Sequence, residues 1–174
     1  MLRLVEAVLR NSRMARKKFT LHYSEVDINQ LVSNELERAQ VRLENASGSA
    51  SADYAPSPLS VYGDADHLSN MVSNLIDNAI KYSPKNPTIK VRTAVEGKYI
   101  SLSITDNGIG ISKEDRRHIF ENFYRVSTGD RHDVKGFGIG LNYVLQVVKA
   151  HKGKIDIDSE LGKGSTFTIR LPKV

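Results

Sequence analysis

From residue 88 to residue 105 apolar and polar positions alternate along the chain. TIKVRTAV (88–95) and YISLSIT (99–105) put every second side chain on one face. Glu96-Gly97-Lys98 supplies the turn between them, so a hairpin is expected. KIDID (154–158) and STFTIRL (165–171) repeat the arrangement around a Gly-Lys-Gly turn. Elsewhere the spacing is helical. Asp27 reads as the N-cap of a helix over about 28–44, and Asp64 as the cap of one running to about Tyr82, where Ser83-Pro84 stops it. A third helix is expected over about 139–151, with Leu141, Val144, Leu145 and Val148 on one face.

The remaining signals are weaker. FTLHYSEV (19–26) alternates loosely and suggests an edge strand. NASGSASADYAPSP (45–58) reads as loop with one poor strand near 52–55, and LSVY (59–62) as a short strand. Ser112, followed by Asp115 three residues later, predicts a capped short helix. Residues 126–137 are polar, contain glycine and have no period. Residues 1–18 read as an amphipathic helical stretch with Leu2, Leu4, Val5, Val8 and Leu9 on one side. Strand pairs interspersed with helices predict an α/β fold, a two-layer sandwich with helices on one face of a mixed sheet.

Composition narrows the function classes. The 174 residues are 40% hydrophobic and 26% charged, as in an ordinary globular domain. The N-terminal stretch reads neither as a secretory signal nor as a membrane span. Cysteine is absent, so thiol nucleophiles, disulfides and Cys-based zinc sites are excluded, which fits a reducing compartment. The net charge of +5 resides in residues 1–20, where six basic side chains face only Glu6. Basic and acidic residues balance over the rest, so no cationic face for nucleic acid is expected.

Three stretches carry candidate chemistry. In NLIDNAIKYS (74–83), Leu68, Met71, Val72, Leu75, Ile76, Ala79 and Ile80 form the broad apolar face of the helix. Asn70, Asn74, Asn78 and Lys81 form a narrow polar stripe opposite. This stripe is either a solvated face or a site. Asparagine is a poor helix former, while its amide oxygen suits a magnesium ion shared with phosphate oxygens, and Lys81 one turn on suits a phosphate. Second, Asp106 shares the parity of Ile100, Leu102 and Ile104 and should point inward, just before Asn107-Gly108-Ile109-Gly110. It is either the start of an Asx turn or a buried acceptor for the amino group of an adenine. Third, Lys135-Gly136-Phe137-Gly138-Ile139-Gly140-Leu141 precedes a helix. It is either a flexible hinge or an anion site of backbone amides, beside a segment able to act as a lid.

Taken together, these stretches resemble the boxes of the ATP-binding catalytic domain of sensor histidine kinases. That domain belongs to the superfamily shared with gyrase, the Hsp90 chaperones and MutL. NLIDNAIKYS resembles the asparagine box, and DNGIG the first glycine box. IFENFYR (119–125) resembles the phenylalanine box, GFGIGL the second glycine box and GKGSTF (162–167) the third. The resemblance covers 60–174 closely and 19–59 loosely. It implies ATP and Mg²⁺ bound between a helical layer and a lid. Asn78 would bind Mg²⁺ with Asn74 close by, Lys81 would contact phosphate, and Tyr82 would pack against the nucleotide. Asp106 would hold the adenine amino group, with Gly108 and Gly110 letting the base approach. Arg125 would meet the γ-phosphate. Lys135, Gly136, Gly138, Gly140 and Leu141 would surround the phosphates at the base of the lid, and Thr166 would sit near the adenine.

Hydrolysing members of the superfamily carry glutamate where this chain has Asn74. An amide cannot activate water as a general base, so the resemblance favours phosphoryl transfer to a protein over an ATPase module. No histidine among His22, His67, His118, His132 and His151 has the context of a phosphoacceptor, and each is expected to be structural or superficial. The family carries that histidine on a dimerising helical hairpin upstream, and residues 1–18 read as the remnant of its second helix. The implied partners are that dimerisation domain and, through it, a response regulator. The implied setting is a cytoplasmic domain of a membrane-anchored sensor, monomeric in isolation and without direct membrane contact.

Overall fold

The computed structural model describes residues 20–56, 58–83, 85–126 and 138–174. The expected remnant helix over 1–18 lies outside them, as do Lys135 and Gly136.

The main layer is a five-stranded sheet in the order β2 (Ser49–Asp53), β4 (Thr88–Glu96), β5 (Tyr99–Asp106), β7 (Gly164–Pro172), β6 (Lys154–Glu160). β2 runs parallel to β4, and the other pairs are antiparallel, so the sheet is mixed. Among the described residues three helices cover one face: α1 (Ile28–Asn45), α2 (Ala65–Lys81) and α3 (Gly140–Ala150). Their apolar sides meet Ile89, Val91, Ile100, Leu102, Ile104, Phe167, Ile169 and Leu171, all buried, in one core. Each such side chain contributes roughly 1.5–3 kcal/mol of burial free energy, which makes this layer contact the main source of stability.

The other face of the sheet is polar. Hydroxyl pairs Ser103–Thr168 at 3.0 Å and Thr105–Thr166 at 2.9 Å run along it. Arg170 bridges Glu96 and Asp156 across the strands on the same face. This is the strand alternation anticipated from the pattern, with a single wet face.

Several local expectations change. The alternation over 19–26 yields strand only in β1 (Ser24–Asp27), which pairs antiparallel with β3 (Ser60–Gly63) as a separate two-stranded sheet. The poor strand near 52–55 is real but lies at 49–53, and all five of its residues are exposed at the sheet edge. Without a buried face it leaves little hydrophobic signal to read. The helix expected after Ser112 is one 3₁₀ turn, Asp115–Arg117. Ser112 does cap it, its Oγ accepting the Asp115 N–H at 3.0 Å, but nothing in the turn is buried to extend it. On α3 the fully buried face is Tyr143, Val144, Val147 and Val148, with Leu141 and Leu145 only half-buried. That rotation turns Leu141 toward a cleft at the end of the sheet.

Candidate functional site

α2 ends at Lys81, and Tyr82 leaves it with a carbonyl pointing back over the DNGIG turn. Ile109 donates its N–H to that carbonyl at 3.0 Å. On the other side of the turn, Gly162 donates to Ile109 O at 2.8 Å, and Ile111 donates to Ser159 Oγ at 2.8 Å. The glycine turn is thus wedged between the end of α2 and the β6–β7 connection. Gly108 packs so closely on Tyr82 that a β-carbon would stand 2.8 Å from the carbonyl oxygen. Gly110, at φ +70°, leaves no room for a β-carbon against the Glu160 carbonyl. These two glycines are required by the chain's own backbone contacts, a different reason from the approach of a base.

Asp106 closes β5 at the edge of an open cleft. Its Oδ1 accepts the Gly108 N–H at 2.8 Å and the Ser165 N–H at 3.2 Å. The first bond is an Asx turn, so the local motif is present as well as the inward orientation. Among the described residues nothing donates to Oδ2. Burial pushes the Asp106 carboxyl above its ordinary value, and the two amide bonds only partly offset this. A carboxylate paired on one oxygen, with the other in a half-closed apolar cleft, is an acceptor awaiting a donor.

Asn78, Tyr82 and Gly110 stand with Asp106 in the cleft wall, together with Arg125 and Leu141. Ile109, Ile111, Ile119 and Phe167 supply its apolar floor, and Tyr124 and Val126 its rim. Asn74 and Lys81 occupy the same stripe of α2 but do not line the cleft. Both are half-buried, so the stripe is not a fully solvated face. Asn74 Nδ2 donates to Asn70 O at 2.7 Å, as Asn70 Nδ2 does to Asp66 O at 2.8 Å. These back-bonds occupy the amide nitrogen of Asn74 and turn its oxygen outward, against Gly140. Lys81 lies over the Tyr82 ring, its Nζ 4.8 Å from the ring centre.

Thr166 is a correction. Its hydroxyl pairs with Thr105 on the wet face of the sheet, opposite the cleft. Ser165, one residue earlier, lines the cleft and shares its hydroxyl with Ser159 at 2.9 Å. The parity of Phe167, Ile169 and Leu171 already places Ser165 inward and Thr166 outward. Ser159 and Tyr124 had no comparable signal. Asn107 takes no part in the cleft: its amide spans Thr88 N and Asn86 O and secures the start of β4. Gly138 is packed under the Tyr124 carbonyl rather than open toward the cleft.

The described residues contain no cluster of three or more His, Cys, Asp or Glu side chains able to hold a metal. A cation here would rest on amide oxygens and on oxygens of its own ligand. No helix among the described residues is long and apolar enough to cross a membrane.

Residues 63–174 match the family described as histidine kinase-, DNA gyrase B-, and HSP90-like ATPase. The sensor protein RprX of Bacteroides fragilis is 41% identical over 170 residues, which are 97% of this chain and 33% of that protein. The chain thus spans about a third of that relative's length. The structure of the mycobacterial sensor histidine kinase MprB superimposes with a TM-score of 0.73 at 30% identity, over 87% of this chain and 98% of that one. Full-length ShkA, solved in complex with AMPPNP, superimposes with a TM-score of 0.87 at 25% identity, over 99% of this chain and 36% of that one.

Proposed function

The chain belongs to the histidine kinase-, DNA gyrase B-, and HSP90-like ATPase family, and from that premise we propose that it binds ATP and donates the γ-phosphoryl group to a histidine on a separate dimerisation domain. The observation that carries this reading is Asp106. Its Oδ1 is fixed by two backbone amides, and its carboxyl lines a largely apolar cleft with Oδ2 left for a further donor. The exocyclic amino group of adenine is the matching donor. The AMPPNP in the ShkA complex, an adenine nucleotide, fits the same assignment.

Asn78 and Arg125 also line the cleft and would meet the phosphates, with Asn74 and Lys81 one helical turn to either side of Asn78. Magnesium, when bound with the nucleotide, would spread the negative charge that develops on the transferred group. Asn78 would hold it through the amide oxygen, with Asn74 close by. Lys81 and Arg125 would add positive charge to the phosphate chain. Catalysis in such a site is mainly orientation and charge neutralisation, which these side chains supply without a general base.

Asn74 separates this reading from an ATPase module. Steady hydrolysis needs a base to orient and deprotonate water, and a carboxamide does neither well. The acceptor is then a protein nitrogen: the bond from the γ-phosphorus to the ADP oxygen breaks, and one to an imidazole nitrogen forms. ADP leaves with the electron pair. The partners that follow are a dimerisation domain bearing that histidine and a response regulator, in the cytoplasmic part of a sensor protein.

The test supplies a dimerisation domain from a matching sensor in trans with labelled ATP and looks for acid-labile phosphohistidine. Label on the domain supports the reading. Sustained phosphate release without transfer, abolished by Asn78→Ala, would establish hydrolysis instead.

A further inference from the structure

The cleft rim raises a question of order. Residues 119–126 form no helix or strand, yet they contribute Ile119, Tyr124, Arg125 and Val126 to the cleft. An irregular segment presents a side chain in a defined direction only if it is tied to rigid elements. Two side chains outside the cleft make such ties. Asp115 accepts the Tyr124 hydroxyl on Oδ1 at 2.6 Å and the Ser112 hydroxyl on Oδ2 at 2.6 Å, so both carboxylate oxygens are engaged. Asn142, in the first turn of α3, donates Nδ2 to the Phe120 carbonyl at 2.8 Å. One tie holds the segment immediately before Arg125, and the other holds its beginning.

The segment also carries backbone strain between those ties. Phe123 has φ +65° without being glycine, and its ring is 68% exposed. A left-handed non-glycine residue costs roughly 1–2 kcal/mol, so contacts must hold it there. The Phe123 N–H donates to Gly138 O at 3.0 Å, fastening the strained residue to the approach to α3. Relaxation of Phe123 would rotate the peptide that leads to Tyr124 and Arg125.

We propose that Asp115 and Asn142 are positioning residues for Arg125, acting through Tyr124 and Phe120 to hold segment 119–125 so that Arg125 faces the phosphate end of the cleft. This rests on the nucleotide-binding reading of the cleft. The Tyr124–Asp115 bond joins a phenol hydroxyl to a carboxylate. Hydrogen bonds from Ser112 and Tyr124 hold the Asp115 carboxyl below its ordinary value, and the bond to Asp115 pushes the Tyr124 hydroxyl up to about 12.

The experiment compares the unaltered chain with Asp115→Ala, Asp115→Asn, Tyr124→Phe and Asn142→Ala. Two readouts are taken: the ratio of ATP to ADP affinity, and the rate of transfer to a dimerisation domain in trans at saturating ATP. ADP affinity should fall by less than the transfer rate does, because Asp106, Asn78 and Phe167 of the cleft wall lie outside the segment. The transfer rate should fall on the order of tenfold to a hundredfold in Asp115→Ala and Asn142→Ala, the scale of a misaligned reacting group. The preference for ATP over ADP should shrink with it. Asp115→Asn should recover most of the loss, since its amide oxygen still accepts from Tyr124. In an Arg125→Ala background Asp115→Ala should add no further loss of transfer. A variant that melts early is replaced by Tyr124→Phe, which keeps the ring. Additive losses in that background, or no rescue by Asp115→Asn, overturn the proposal. Unchanged transfer with unchanged ATP preference overturns it alone, whereas failure of the unaltered chain to bind either nucleotide overturns the cleft assignment as well.

Discussion

Gly140 lies so close to Asn74 that a β-carbon on it would stand 2.9 Å from the Asn74 amide oxygen. A side chain at the first residue of α3 would press on the end of a side chain from α2. Moving Asn74 aside would strain or break the bond from its nitrogen to Asn70 O. In Gly140→Ala, helical propensity would gain up to about 1 kcal/mol, set against the displaced amide. Overall stability should stay within about 1 kcal/mol of the parent, while Mg²⁺-dependent nucleotide affinity falls by about fivefold or more. Calorimetric titration with ATP, with and without magnesium, reads this directly. Unchanged affinity would show that the Asn74 oxygen takes no part in the site.

Asp106 gives the site a pH dependence with a definite sign. Burial raises its carboxyl above the ordinary value of 3.8, so in the free protein it takes up a proton at higher pH than an unfolded aspartate does. Stability should therefore rise, relative to an Asp106→Asn variant, as pH falls through that raised value. Binding runs the other way. An amino donor on Oδ2 favours the ionised form, so adenine nucleotide should bind less tightly as the carboxyl protonates. The measurement is ADP affinity from neutral to acid pH, with Asp106→Asn subtracted to remove titration of the phosphates. The variant should also bind at least tenfold more weakly at neutral pH, as expected when a charged hydrogen-bond partner is lost. A pH profile identical in the two proteins would remove Asp106 from the base pocket.

The parts of the fold that bury one face were legible in the sequence. β4, β5, β7 and α2 alternate or repeat cleanly because each packs on the same core. β2 was nearly invisible because SASAD lies at an edge with both faces wet, held by its pairing to β4. Asp106 could be placed by parity, and parity would also have chosen Ser165 over Thr166 had it been applied to β7. Tyr124, Asp115 and Asn142 could not be found that way. Their roles depend on bonds between an irregular segment and two other elements, which no period encodes. The glycines of the DNGIG turn were recognisable, but their reason was not. It lies in carbonyls of Tyr82 and Glu160, distant in sequence.

His151 illustrates a structural histidine whose tautomer follows from its partners. Val147 O can only accept, so Nδ1 carries the proton, and the Asp64 N–H can only donate, so Nε2 is bare. The ring is 5% exposed and joins the end of α3 to the N-cap of α2. His151→Leu would leave the Asp64 N–H and the Val147 carbonyl without this partner. The expected loss is about 1–3 kcal/mol of unfolding free energy. Urea denaturation of the two proteins measures it, with nucleotide affinity expected to hold in the folded variant because the ring is not part of the cleft wall. A loss below a few tenths of a kcal/mol would mean that water replaces the imidazole.

Two glycines at nearly the same backbone angle separate packing from ligand binding. Gly97, in the β4–β5 hairpin, has φ +61° and nothing within 4 Å of where a β-carbon would sit. Gly110 has φ +70°, and a β-carbon there would run into the Glu160 carbonyl. Gly97→Ala should cost only the left-handed conformation, roughly 1–2 kcal/mol. Gly110→Ala adds a collision with backbone that cannot rotate away. It must either push the β6–β7 turn outward or break the Gly162 N–H bond to Ile109 at 2.8 Å. The expected loss exceeds that of Gly97→Ala by about 2 kcal/mol or more. Chemical denaturation without any nucleotide decides the matter. Were Gly110→Ala as stable as Gly97→Ala but unable to bind ADP, the glycine would be serving the base after all. A larger loss of stability at Gly110 than at Gly97, measured without nucleotide, places its role in holding the turn on which Asp106 depends.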